Sequence, residues 1–216
     1  MRKLIFSNSD KERIKEAVAD LESESSGELV IYFAKDSHKY QGAAWKLAAI
    51  FGVVAILSII SLSYLWLLPP YFTPIFIALT ILVMMALGFL MGKGSSQLRL
   101  SLVPENTVDQ AVITKARDIF LQEEVFNTRD RTGILIYISA LEHEVVVLGD
   151  SGINSKIKDE DWTDVVSSVL RGIKNGRAAE GLIEATQKCK ELLLEHGFVI
   201  REDDTNELSD DIRIEE

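Results

Sequence analysis

Glu28, Asp130, Asp150, Asp159 and Asp161 are the residues of this chain best suited to chemistry. Carboxylates of this kind, joined by loop carbonyls, suit a hard cation such as Ca2+, which takes about six to eight oxygen ligands. The competing reading is local. Asp is favoured in turns and at helix starts for its own hydrogen bonds, and Arg129 and Arg131 stand ready as ion-pair partners. Other candidates are weaker. Cys189 is the single cysteine, which excludes an intramolecular disulfide and suits a reducing compartment. His38, His143 and His196 lack the partner spacing of a zinc site, and His143 reads as a turn residue. Gly92–Ser96, GKGSS, lacks the spacing of a phosphate-binding loop.

Strands must bring the acids together. LVIYF (Leu29–Phe33), ILIYIS (Ile134–Ser139) and EVVVLG (Glu144–Gly149) are short runs rich in β-branched and aromatic residues. The second and third, separated only by Ala140–His143, predict an antiparallel hairpin, which sets Asp130 beside Asp150. If the first strand runs parallel to the second, its start at Gly27 and Glu28 meets the same edge, with Asp159 and Asp161 on the next helix start within reach. That parallel connection must be right-handed.

Helices fill the remaining segments. Ser9 with Glu12 predicts a capping box opening a helix that runs toward Gly27, and Thr107 with Gln110 predicts another for a helix ending near Phe126. Asp159–Ile173 and Arg177–His196 have helical periodicity, with Gly176 between them and Gly197 as a stop signal. Trp162, Val165, Val166, Val169 and Ile173 form an apolar stripe that reads as core. Phe198–Ile200 is expected to be a last edge strand.

From Leu47 to Gly92 there is no Asp, Glu, Lys or Arg, and Leu68-Pro69-Pro70 breaks the run near its middle. A bilayer core about 30 Å thick needs roughly 20 apolar residues of helix, so this run predicts a transmembrane hairpin with spans over 43–68 and 73–92. About 40 largely polar residues precede it, unlike a secretory signal. Lys35, Lys39 and Lys46 come before the uncharged run, Lys93 and Arg99 after it, and the turn carries no charge. Cations mark the cytoplasmic side, so both flanking segments and both termini are expected there, at a bacterial inner membrane. Trp45, Tyr64, Trp66, Tyr71 and Phe72 fit interfacial belts. Gly88 and Gly92 form a GxxxG pattern, expected to pack within the hairpin against Gly52, Ser58 or Ser61 rather than between chains. No charge inside the spans serves transport.

The segment NTRDRTGILIYISALEHEVVVLGDSGI, followed by a helix and GIKNGRAAEGLIEA, resembles the TPM domain family, and SGELVIYF matches that family's first strand. The family includes thylakoid-lumen phosphatase and photosystem-repair proteins and many bacterial membrane proteins. The resemblance implies an α/β sandwich around a small sheet. It also implies weak acid phosphatase activity, metal binding in the acidic region, or assembly and maintenance of membrane complexes. For phosphoester hydrolysis the assignment would be Asp130 or Asp150 as base or ligand and Arg129 as phosphate clamp. Many relatives carry a terminal anchor, and the internal hairpin departs from that pattern.

The expected architecture is therefore α/β: a small mixed sheet flanked by helices, interrupted by a two-helix transmembrane hairpin. Residues 1–42 and 93–200 make one split domain, 43–92 the hairpin and 201–216 a disordered tail, which holds eight acids against two arginines. A net charge of -10 excludes nucleic acid as a partner. The partners expected are the lipid bilayer and another membrane or membrane-associated protein. The function expected is a cytoplasm-facing binding or assembly module with calcium at its acidic edge, the alternative being a weak membrane-bound acid phosphatase.

Overall fold

The computed structural model describes residues 6–67, 69, 72–201 and 206–215. Much of the predicted proline turn (68, 70 and 71) and part of the acidic tail (202–205 and 216) lie outside the described residues. The elements follow in the order α1 (Asn8–Glu24), β1 (Glu28–Ala34), α2 (Gln41–Tyr64), α3 (Pro74–Gly94), α4 (Ser96–Leu100), α5 (Glu105–Gln122), β2 (Gly133–Ser139) and β3 (Glu144–Gly149). After these come α6 (Ser151–Asn154), a 3-10 turn (Asp159–Trp162), α7 (Thr163–Lys174), α8 (Ala178–Glu195) and β4 (Arg213–Ile214). Two compact units result: Met1–Ser37 with Asp109–Glu216, and His38–Val108.

The first unit is built on a mixed sheet of order β3-β2-β1-β4. β1 runs parallel to β2, pairing Glu28 with Gly133 through Ala34 with Ser139. β2 and β3 form the antiparallel hairpin, pairing Ile134 with Gly149 and Ser139 with Glu144. Alternation sends Leu29, Ile31 and Phe33 of β1 and Ile134, Ile136 and Ile138 of β2 to one face, where they join Ile14, Val18 and Leu21 of α1 and the stripes of α7 and α8 in one core. Trp162, Val165 and Val169 belong to it, as their spacing predicts. Val30, Leu135 and Tyr137 point the other way and are buried too, as are Val112, Ala116 and Ile119 of α5, the helix that crosses between the parallel strands.

Several local expectations are corrected. The first capping box is Ser7 with Asp10, not Ser9 with Glu12: Asp10 N–H donates to Ser7 Oγ at 3.1 Å and Ser7 N–H to Asp10 Oδ2 at 2.9 Å. α5 starts at Glu105, before the predicted Thr107 box, because the Pro104 carbonyl already accepts from Thr107 and Val108 N–H at 2.9 and 3.2 Å. It stops at Gln122, short of Phe126, and Glu124 follows in a left-handed conformation, φ 52°. Phe198–Ile200 makes only a single bridge, Val199 with Ser25. The fourth strand comes instead from the tail expected to be disordered: Arg213 and Ile214 pair in parallel with Tyr32 and Phe33.

The second unit holds two helices long and apolar enough to cross a membrane, of 24 and 21 residues. At 1.5 Å per residue they span about 36 and 31 Å, against a hydrocarbon core of about 30 Å. Thr73 caps α3 and Pro74 occupies its first turn, where a missing N–H costs nothing. The helices meet through small residues. A Cβ on Gly92 would come within 2.8 Å of Ala44 Cα, and one on Gly88 within 2.8 Å of the Leu47 carbonyl oxygen, so the GxxxG pair packs within the hairpin. Gly52 faces Met85 rather than this pair. Large apolar side chains point outward instead, with Trp66 95% and Ile75 74% exposed. Hydroxyls inside the helices satisfy themselves on the preceding turn, Ser58 Oγ on Val54 O at 2.7 Å and Thr80 Oγ1 on Phe76 O at 2.8 Å.

Candidate functional site

Backbone geometry brings the expected edge together. Glu28 opens β1 beside Gly133, whose carbonyl accepts the Asp150 N–H at 2.9 Å, and Gly152 N–H donates to Arg131 O at 2.9 Å. Only glycine fits at 152, since a Cβ there would lie 2.5 Å from the Asp130 carbonyl oxygen. So Asp130, Arg131 and Asp150 do share one end of the sheet with Glu28, as the strand order predicts.

The carboxylates themselves are engaged locally. Asp150, 7% exposed, caps α6 through Oδ1, which accepts the Ser151 N–H at 2.6 Å. Its Oδ2 lies 2.8 Å from Arg131 Nε, an ion pair without the alignment of a hydrogen bond. The Arg131 guanidinium also stands over the Phe126 ring, 5.6 Å from its centroid. Asp130 pairs with Arg201 and lies 3.9 Å from Arg129. Glu28 accepts backbone N–H groups of Glu207 and Leu208 at 3.3 and 3.2 Å. Arg129, the expected phosphate clamp, donates its backbone N–H to Glu207 at 2.9 Å. Asp161 caps its turn by accepting the Lys158 N–H at 2.8 Å, and Asp159 stands exposed in the same turn. Among the described residues no group of three or more His, Cys, Asp and Glu side chains is placed to hold a metal ion. The donor set therefore does not fit the Ca2+ expected of these five acids, of which Glu28, Asp130, Asp150 and Asp161 are taken by caps, ion pairs and backbone N–H groups instead.

Sequence reasoning missed Glu22. It projects from α1 into a cavity of about 250 Å3 whose walls include Ser25, Glu28, Ile200 and Asn206. Its Oε1 accepts the Leu29 N–H at 3.1 Å and its Oε2 the Asn206 side-chain amide at 3.0 Å. Burial pushes the carboxyl up to about 9, reinforced by the charges of Glu28 and Asp210 against the Leu29 hydrogen bond, so Glu22 keeps its proton at neutral pH. The signal available was its place one position beyond the buried Leu21, near the end of an amphipathic helix.

A second polar cluster closes the opposite end of the sheet. Glu142, 7% exposed, accepts the Ser37 N–H at 3.2 Å and the Ser139 hydroxyl. Ser37 Oγ donates to Ser139 Oγ at 2.9 Å and lies 3.0 Å from the Tyr137 hydroxyl. Burial raises that phenol to about 12, so it remains neutral. With His143 exposed at φ 58°, the cluster ties β1 to the β2–β3 turn. Cys189 is fully buried and burial pushes its thiol up to about 12, which removes it as a nucleophile.

Comparison with known proteins agrees with this architecture. The family model described as TPM domain matches residues 89–192, from the end of α3 into α8. A solved structure, the NMR structure of BA42 protein from the psychrophilic bacterium Bizionia argentinensis, is 19% identical with a TM-score of 0.61, covering 100% of each chain. At that identity the likeness is one of fold. No curated protein matches. With a mixed four-stranded sheet flanked by helices and the match running across its β-hairpin and last helices, residues 89–192 carry a TPM domain.

Proposed function

We propose that this TPM-domain protein is a membrane-anchored binding or assembly module, with its α/β unit facing the cytoplasm at a bacterial inner membrane and engaging another membrane-associated protein. The observation that carries this reading is the hairpin: two helices apolar on every side, with most of their apolar residues left unburied. Water would leave that surface unsatisfied, whereas lipid would not. Orientation is supported by charge, since Lys46 lies near the start of α2, Lys93 in the last turn of α3 and Arg99 just beyond it, while the described residues between the helices are uncharged. Binding is favoured over hydrolysis because Asp130 and Asp150 already serve as ion-pair and capping groups.

Reporter fusion after Glu216 tests the topology: an enzyme active only outside the cell should stay silent there, and strong activity would overturn the orientation. Chromogenic phosphoester assays with the full chain, with and without divalent metal, test the rest. Turnover lost in Asp130→Asn and Asp150→Asn would replace the module with a hydrolase.

A further inference from the structure

The chain carries a net charge of -10, yet residues 38–108 hold Lys39, Lys46, Lys93 and Arg99 against Glu105 alone, a net of +3. Three of these cations gather at one end of the hairpin. Gly92, the neighbour of Lys93 in sequence, lies against Ala44, which precedes Trp45 and Lys46 by one and two residues, so both lysines stand at the same end of the helix pair. Arg99 Nη1 donates to the carbonyls of Gly92 and Lys93 at 3.0 and 2.9 Å, and Nη2 to Ser96 Oγ at 3.0 Å. No carboxylate lies within ion-pair distance of Lys46, Lys93 or Arg99 among the described residues. Lys46 and Lys93 are exposed, and Lys46 Nζ donates to the Leu102 carbonyl at 3.4 Å. Beside them Trp45 packs on Phe89, ring centroids 4.7 Å apart, while 67% exposed, an amphipathic ring at this end.

We propose that this end of the hairpin binds the headgroup phosphate of an anionic phospholipid, with Lys46 and Lys93 contacting the phosphate. Arg99 is a positioning residue. A helix C-terminus presents unsatisfied carbonyls and a partial negative charge that would repel an anion, and the Arg99 guanidinium cancels both. What remains exposed is two ammonium groups above an apolar surface, with Trp45 at headgroup depth. This assignment rests on the membrane reading above and names the lipid chemistry that reading leaves open.

Native mass spectrometry of the full chain in nanodiscs tests it, using phosphatidylcholine alone or mixed with phosphatidylglycerol. Selective retention of phosphatidylglycerol is expected, falling about five-fold for each of Lys46→Gln and Lys93→Gln. Arg99→Gln should weaken retention as well, while Lys11→Gln on α1, equally a lost surface charge, should leave it unchanged. Equal retention of both lipids, or equal loss in Lys11→Gln, would overturn the site. Displacement of the lipid by inorganic phosphate would reassign it to a soluble anion. A chain that never enters nanodiscs would sink the membrane reading itself, a separate and recognisable failure. Melting curves of each variant exclude misfolding as the cause of any loss.

Discussion

In α7 and α8 the inward residues are Val165, Val169, Leu182 and Leu193, and charges such as Arg171 and Glu184 point out. In α2 and α3 the arrangement is reversed: Ala44, Gly88 and Gly92 face inward while Leu57, Ile75 and Leu82 point out. Side-chain size, rather than polarity, separates inside from outside in the hairpin. The first pair gains stability by removing apolar area from water. For the second there is no such gain in lipid, and close backbone approach supplies the contact instead.

The largest contrast comes from truncation. Ile136→Ala, at a fully buried sheet position, is expected to cost about 2–5 kcal/mol in denaturant unfolding of the α/β unit. Leu82→Ala, 61% exposed on α3 before mutation, should barely change it. A comparable loss for both would break the comparison. Next in size, Leu82→Lys should cost about 2.5–3.5 kcal/mol of membrane insertion and shift the protein out of the membrane fraction. Unchanged fractionation would place that face in water.

Gly92→Leu sharpens the packing side of the argument. With Ala44 Cα so close, overpacking should separate the helices at a cost of about 1–3 kcal/mol, read as loss of a cross-link between cysteines placed at the facing positions. Spread over several pH units rather than confined to one condition is the effect of Glu22. Below about 4.5 both folded and unfolded chains hold its proton. Between there and about 9 the unfolded chain releases it and the folded chain keeps it, so stability falls as pH rises through that window. Glu22→Gln should flatten that slope in melting temperature. An unaltered slope would show that the cavity is wet enough to ionise the acid.

Much of this was legible in the residues. The two long apolar helices, the three main strands, the antiparallel pairing of β2 with β3 and the α7 stripe all follow from local periodicity and short connections, whereas the parallel pairing of β1 with β2, only a condition in the sequence, is supplied by the fold. Strand order even placed Glu28, Asp130 and Asp150 on one edge. It did not reveal what their oxygens do there, because Arg131, Ser151 N–H and the N–H groups of residues 207 and 208 compete for them, and two of those come from a distant segment. β4 was hidden for a related reason. Two residues in an acidic tail carry no strand signal, and Arg213 gains its place through Glu123 across 90 positions of sequence. Glu22 looked like one more solvated charge until Asn206 and Glu28 closed around it.

The pairing of Glu28 with Gly133 joins residues 105 positions apart. At a synthesis rate of about 5–20 residues per second, β1 leaves the ribosome roughly 5–20 seconds before its principal neighbour exists. Leu29–Phe33 is thus a greasy ribbon that must be sheltered through the whole making of the hairpin, and any slowing of translation inside that insert lengthens the interval in which it can aggregate.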